Sequence, residues 1–226
     1  MVIIEIDGTS YHIPQGWCDV PYKKYMAFVL EVMPTMPPKL KELHNAEGEK
    51  RQKIALVISD LYHRKHILPY YLRVIAALSD IPYSLLLKCN TAQVMGIYNG
   101  IIKGLAEPAQ WTYTAKEKIA GVEFNYPSRF MRQEKAGEYI EAANFEDTVQ
   151  KMGGDLLAAI PQMACCLLKK DGEQYTGDID ESKTGWFVEN MNMANCWGIY
   201  FFLQRSNASF AAVSKMYSIP NIQPTK

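Results

Sequence analysis

The chain has 226 residues, 48% of them hydrophobic, and its 24 basic and 24 acidic side chains leave a formal net charge of zero. That length suits one large domain or two small ones, with enough apolar surface to bury a core without disulfides or metals. The charge balance removes any global pull toward nucleic acid or an anionic membrane.

Val2–Asp7 reads as a strand, Asp7-Gly8 as a tight turn and Ser10–Ile13 as the returning strand, an N-terminal β-hairpin. Asp19 is expected to cap a helix whose apolar face is Tyr22, Tyr25, Met26 and Val29. Pro34, Pro37 and Pro38 stop it, so residues 34–49 read as an exposed linker with one short turn at Leu40–Leu43. Ile54, Val57, Ile58 and Leu61 then predict a helix that carries them on one face, with His63 and His66 near its end. A further helix spans Leu68 to Leu78. Asp80-Ile81-Pro82 starts another, and Asn90 with Gln93 makes a capping box for the next.

The texture changes at Glu107-Pro108, where a boundary divides a first lobe, 1–106, from a second, 107–226, unless the two form one continuous domain. Trp111–Thr114 and Val122–Tyr126 read as a small mid-chain β element around Gly121. Ser128–Gln150 reads as helix broken near Gly137. Asp155 is expected to cap a helix over Leu156–Leu168, kinked at Pro161. Asp180 starts a helix through Met191, Ala194–Gln204 forms a central apolar helix, and Ala208–Tyr217 a separate last one. The fold class is therefore mainly α, with a β-hairpin and a small β element.

No signal-peptide pattern opens the sequence, and Leu156–Leu168 and Met193–Leu203 fall short of the ~20 apolar residues of a membrane span. Cys18, Cys89, Cys165, Cys166 and Cys196 lack metal or redox spacing and read as reduced, buried thiols of a cytosolic protein. His63 and His66 share a helix face, and His44 and Asp60 are the nearest further ligands for zinc, but nothing fixes their spacing. Cys18 with His12 has no nucleophile signature around it, and no phosphate-loop or serine-elbow motif is present. Glu138, Glu141 and Asp155 are nominal acid–base candidates that read more simply as solvated charges. No catalytic residue, metal or cofactor is assigned, and the chain reads as a non-enzyme. Trp197, Tyr200 and Phe201 read as core packing. The basic–aromatic run from Tyr62 to Arg73 has the chemistry to contact phosphates and stack bases, although zero net charge argues against a dedicated nucleic-acid binder.

Charge is unevenly spread. Residues 23–65 carry nine Lys or Arg against five acids, and residues 134–189 carry twelve acids against five Lys. Either the two segments pack on each other in one monomer, or a basic face meets an acidic face between copies, head to tail. The interface residues this pattern selects are Lys50, Arg51, Lys53, Arg64 and Lys65 against Asp178, Asp180 and Glu181.

The order of several short motifs is similar to that of a family. They are IPQGWCDVPYKKY (Ile13–Tyr25), LRVIAALSDIP (Leu72–Pro82) followed by SLLLKCN, GEYIEAANFED (Gly137–Asp147), MACCLLKKDGEQY (Met163–Tyr175) and ANCWGIYFFLQRS (Ala194–Ser206). Together they resemble virion proteins of tailed phages of Bacteroidetes, the crAss-like phages included, with Ser79-Asp80 standing where that pattern has Thr. The resemblance implies a neck or tail ring component, or else a tail assembly chaperone. It implies location in a virion assembled in the host bacterial cytoplasm, with copies of itself and other virion proteins as partners. It transfers no site residue.

Overall fold

The computed structural model describes residues 2–106, 114–127, 140–142, 144, 156–174 and 179–217, with residues 156 and 207–217 described as backbone only. The chain divides into two compact units, Met1–Ala109 and Gln110–Lys226. The fold is mainly α, with the expected N-terminal hairpin and a small mid-chain strand pair.

In the first unit β1 (Val2–Ile6) pairs antiparallel with β2 (Thr9–Ile13). Asp7 (φ 50) and Gly8 (φ 74) both adopt the left-handed conformation that a two-residue type I′ turn requires. Asp19 does not cap the first helix. Its carboxylate accepts a hydrogen bond from the Gln15 backbone N–H at 3.0 Å, closing the loop, and Pro21 holds the cap position of α1 (Tyr22–Ala27). The helix widens into a π turn at Phe28–Val32, and Met33–Thr35 adds a 3₁₀ turn. The expected linker is more ordered than its prolines suggest. Pro38 opens α2 (Pro38–His44), where a missing N–H costs nothing, and Leu40, 1% exposed, anchors it.

The expected apolar face of Ile54, Val57, Ile58 and Leu61 is not a buried face. α3 (Gly48–Val57) ends where Ile58 turns extended, and Ser59 restarts the chain by accepting the Tyr62 N–H at 3.2 Å. α4 (Asp60–Tyr62) passes through a π turn (His63–Ile67) into α5 (Leu68–Leu78). α6 (Tyr83–Leu86) is short, and α7 (Thr91–Ala106) carries the expected capping box, Asn90 and Gln93 exchanging hydrogen bonds at 2.9 Å. The core is α5 against α7. Val74, Ile75 and Leu78 are buried from one side, Val94 and Ile101 from the other, and Tyr71 stacks on Tyr98 at 3.8 Å. Asp80 ties three elements together. Its N–H donates to the His12 carbonyl at 3.3 Å, and its carboxylate takes Lys24 Nζ and sits 3.6 Å from His12 Nδ1.

In the second unit β3 (Lys116–Ile119) and β4 (Val122–Asn125) form a hairpin through Ala120 (φ 46) and Gly121 (φ 84). The first strand therefore lies in the segment expected to be polar connection, and 111–113 fall outside the described residues. So do most of Ser128–Gln150, of which residues 140–142 and 144 are helical, and Asp155. Pro161 does not kink a helix. A 3₁₀ turn (Leu156–Ala159) precedes it, and it lies in the first turn of α8 (Ile160–Leu167). Every residue of α8 but Gln162 is buried, so adjacent Cys165 and Cys166 are both enclosed although they face different sides. α9 (Glu181–Asn190) starts as expected, the Asp180 carboxylate accepting the Ser182 and Lys183 N–H groups. α10 (Met193–Tyr217) runs through the expected break near Ala208, since no Gly or Pro lies between Ile199 and Tyr217. Phe124 lies 5.2 Å from Phe187 and 5.5 Å from Trp186, and Tyr126 lies 5.4 Å from Phe202, which joins the β pair to α9 and α10.

Candidate functional site

The basic residues selected from the sequence separate into two places in the first unit. Lys50, Arg51 and Lys53 lie on α3. That helix has no buried residue, and its C-terminal end and the start of α4 expose Leu56 (86%), Val57 (64%) and Leu61 (73%). A ten-residue helix whose apolar side chains are at best half-buried is marginal in water, and contiguous exposed apolar side chains mark contact surfaces. Arg64 pairs with Asp60 at 2.8 Å along its own helix.

Lys65 belongs to a cleft. It and His66, Pro69, Tyr70 and Arg73 form one wall, on the π turn and α5, and Pro34–Pro38 form the other, around about 440 Å³. Tyr62 fixes the second wall. Its hydroxyl accepts the Lys39 N–H at 3.4 Å, Lys39 Nζ lies 4.8 Å from its ring centroid, and His66 packs on it at 4.7 Å. The Thr35 hydroxyl donates to the Val32 carbonyl at 2.7 Å. The lining contains Lys65, His66 and Arg73 and no carboxylate. Among the described residues Lys65 and Arg73 have no ion-pair partner. Burial, reinforced by neighbouring Tyr71, pushes the Tyr70 hydroxyl up to about 12, so it keeps its proton.

The acidic residues lie in the second unit. Asp178 is outside the described residues. Asp180 is occupied in capping α9 and Glu181 is exposed in its first turn. Beside them a cavity of about 580 Å³ is lined by Phe124, Asp171, Glu173, Lys183 and Trp186 among others. Most of its charged groups are already engaged, Asp180 in the α9 cap among them. Asp171 accepts the Asn125 amide at 2.7 Å. Lys183 Nζ donates to the Leu168 carbonyl at 2.8 Å and to Glu173. Burial pushes the Glu173 carboxyl up, but Lys183 and the Lys170 N–H outweigh it and hold the group below its ordinary value.

The other chemistry weighed from the sequence is not assembled. His63 lies edge-on to Tyr71, 6.2 Å away, and His66 on Tyr62. Among the described residues no group of three or more His, Cys, Asp or Glu is placed to hold a metal ion. His12 faces Asp80, while Cys18 is exposed beside Asp19, its thiol 3.8 Å from the carboxylate. Glu141 lies 3.8 Å from the Cys166 thiol; Glu138 and Asp155 fall outside the described residues. Among those residues no helix is long and apolar enough to cross a membrane. Trp197, Tyr200 and Phe201 are half-buried, Trp197 stacking on Phe201 and meeting Tyr200 edge-on, so the aromatic stripe is a partly open face of α10 rather than its core side. Arg73 and the proline wall were not singled out as a site from the sequence, although Arg73 closes the basic–aromatic run. Their convergence depends on the chain returning from α2 to α5.

Comparison with protein-family models, with curated proteins and with solved structures finds no match to this chain.

Proposed function

We propose that the protein is a structural subunit of a tailed-phage virion, a neck or tail ring component that works through protein–protein contacts. The motif order that resembles such virion proteins supports the phage assignment. The observation that carries the contact is α3, a helix without a buried residue whose basic first half leads into exposed Leu56, Val57 and Leu61. Such a helix gains its stability from a partner surface. The partner is the acidic 134–189 segment of a second copy, with Glu181 facing Lys50, Arg51 and Lys53. A contact between two different faces generates rings when the rotation closes.

The purified full chain is expected to sediment as an oligomer, with native mass spectrometry giving the copy number. Leu56→Glu with Leu61→Glu should shift it to monomer with at most the helical circular dichroism of α3 lost, because neither side chain packs in the core. Glu181→Lys should weaken assembly, and combination with Lys50→Glu and Lys53→Glu should restore part of it. Asp180 is left unchanged because its carboxylate caps α9. A wild-type chain that stays monomeric at tens of micromolar would remove the reading. Presence in purified particles distinguishes a ring subunit from a chaperone that departs after assembly.

A further inference from the structure

We propose that the cleft between the Pro34–Pro38 segment and the start of α5 binds a phosphate chain, through Lys65, His66, Arg73 and the Tyr70 hydroxyl. This goes beyond the ring reading and does not depend on it. The lining of this roughly 440 Å³ cleft supplies three nitrogen-bearing side chains, Lys65, His66 and Arg73, and no carboxylate. Among the described residues Lys65 and Arg73 carry no ion pair that a ligand would first have to break. Tyr70 is 4% exposed and, protonated at neutral pH, offers an O–H on the same wall.

Spacing selects a chain over a single oxyanion. Lys65 and Arg73 are eight residues apart, roughly 12 Å along a helix axis. One phosphate contacts one of these cations well, whereas two or three linked phosphates engage both. Arg73 presents a planar fork suited to phosphate oxygens and Lys65 a mobile point charge. The opposite wall is held by the Lys39–Tyr62–His66 arrangement, so less side-chain ordering is left for the ligand to impose. The π turn at His63–Ile67 places Lys65 and His66 on this side, and such turns recur at binding sites.

The test is calorimetric titration of the full chain with inorganic tripolyphosphate at low salt. Saturable binding near one per chain is expected, weakened at least tenfold in Lys65→Gln/Arg73→Gln and retained in Lys88→Glu/Lys103→Glu, two exposed lysines away from the cleft lining. Because Lys65 and Arg73 are exposed, the paired variant should keep the wild-type melting temperature. If it does not, Arg73→Lys serves in its place, expected to bind several-fold more weakly. Adenosine triphosphate as a second ligand identifies the source. Equal affinity assigns recognition to the phosphate chain alone, and tighter affinity assigns part of it to a nucleoside; both support the site. No saturable heat with tripolyphosphate, unchanged affinity in the cleft variant, or binding of hexaglutamate but not tripolyphosphate would overturn it. Oligomer dissociation by Leu56→Glu with tripolyphosphate binding intact would show the two proposals to be separable.

Discussion

Gly104 shows how closely one residue's backbone can be approached. A Cβ built there would lie 2.7 Å from the carbonyl carbon and oxygen of Gln15, and backbone cannot move aside as a flexible side-chain tip can. Gly96, on the same helix, has open space where its Cβ would stand. Gly104→Ala should therefore lower stability by about 1–3 kcal/mol through forced displacement. Gly96→Ala should raise it by up to about 1 kcal/mol through helix propensity. Urea unfolding monitored at both positions checks the pair, and equal effects would show that the Gln15 loop does not press on α7. Asp80 is the second residue with a defined consequence. The hydrogen bond from Lys24, aided by Lys24 and His12 charge, outweighs partial burial and holds its carboxyl below the ordinary 3.8. A depressed folded value means its stabilisation is present above 3.8 and is lost as pH falls through the folded value. Asp80→Asn should lower the melting temperature at pH 7, and the difference from wild type should shrink as pH falls below 3.8 toward the folded value.

At the scale of elements, Lys183 joins α9 to the end of α8. Its ammonium donates to the Leu168 and Cys165 carbonyls at 2.8 and 3.4 Å, which α8 leaves unsatisfied at its C-terminus, and it neutralises Glu173. Lys183→Met keeps the stem but strands two carbonyls and a carboxylate, and should cost about 2–4 kcal/mol in denaturant unfolding. Glu173→Gln added to it should recover part of that loss. Elements with local chemistry were legible in the sequence. The Asp7-Gly8 turn, the Asn90–Gln93 box, the Asp180 cap and the Leu68–Leu78 helix are set by neighbours in the chain. The misread elements depend on distant ones. Ile54, Val57 and Leu61 have helical spacing, but spacing reports that a face is apolar and not that anything in the same chain covers it. Lys116–Ile119 has three charged or polar residues in four, and becomes a strand because Ala120-Gly121 folds it onto Val122–Asn125. Leu40 turned a proline-rich stretch into structure by finding a core position. The cleft was half visible: its cations lie in one basic–aromatic run, while its proline wall comes from thirty residues upstream.

For the molecule as a whole, thiol chemistry offers a test of how the five cysteines are housed. Cys165, Cys166 and Cys196 are buried and Cys18 is exposed, all of them free. Burial pushes the Cys166 thiol up to about 12 and the Cys196 thiol higher still, so both stay protonated and unreactive. Burial also raises Cys89, which is half-exposed. Native alkylation at pH 8 should add one adduct rapidly, at Cys18, with Cys89 following slowly. All five should react in 6 M guanidinium, as intact-mass spectrometry would record. Rapid reaction of Cys165 or Cys166 under native conditions would mean that α8 is not the enclosed centre of the second unit.

The division of the chain also distributes its indoles unequally. Trp17, packed edge-on against Tyr25 with ring centroids 6.0 Å apart, is the single tryptophan before residue 110, while Trp111, Trp186 and Trp197 follow it. With those three replaced by phenylalanine, the remaining emission reports the N-terminal half alone. Its wavelength and quenching then give a spectroscopic channel in which that half's melting is read apart from the rest.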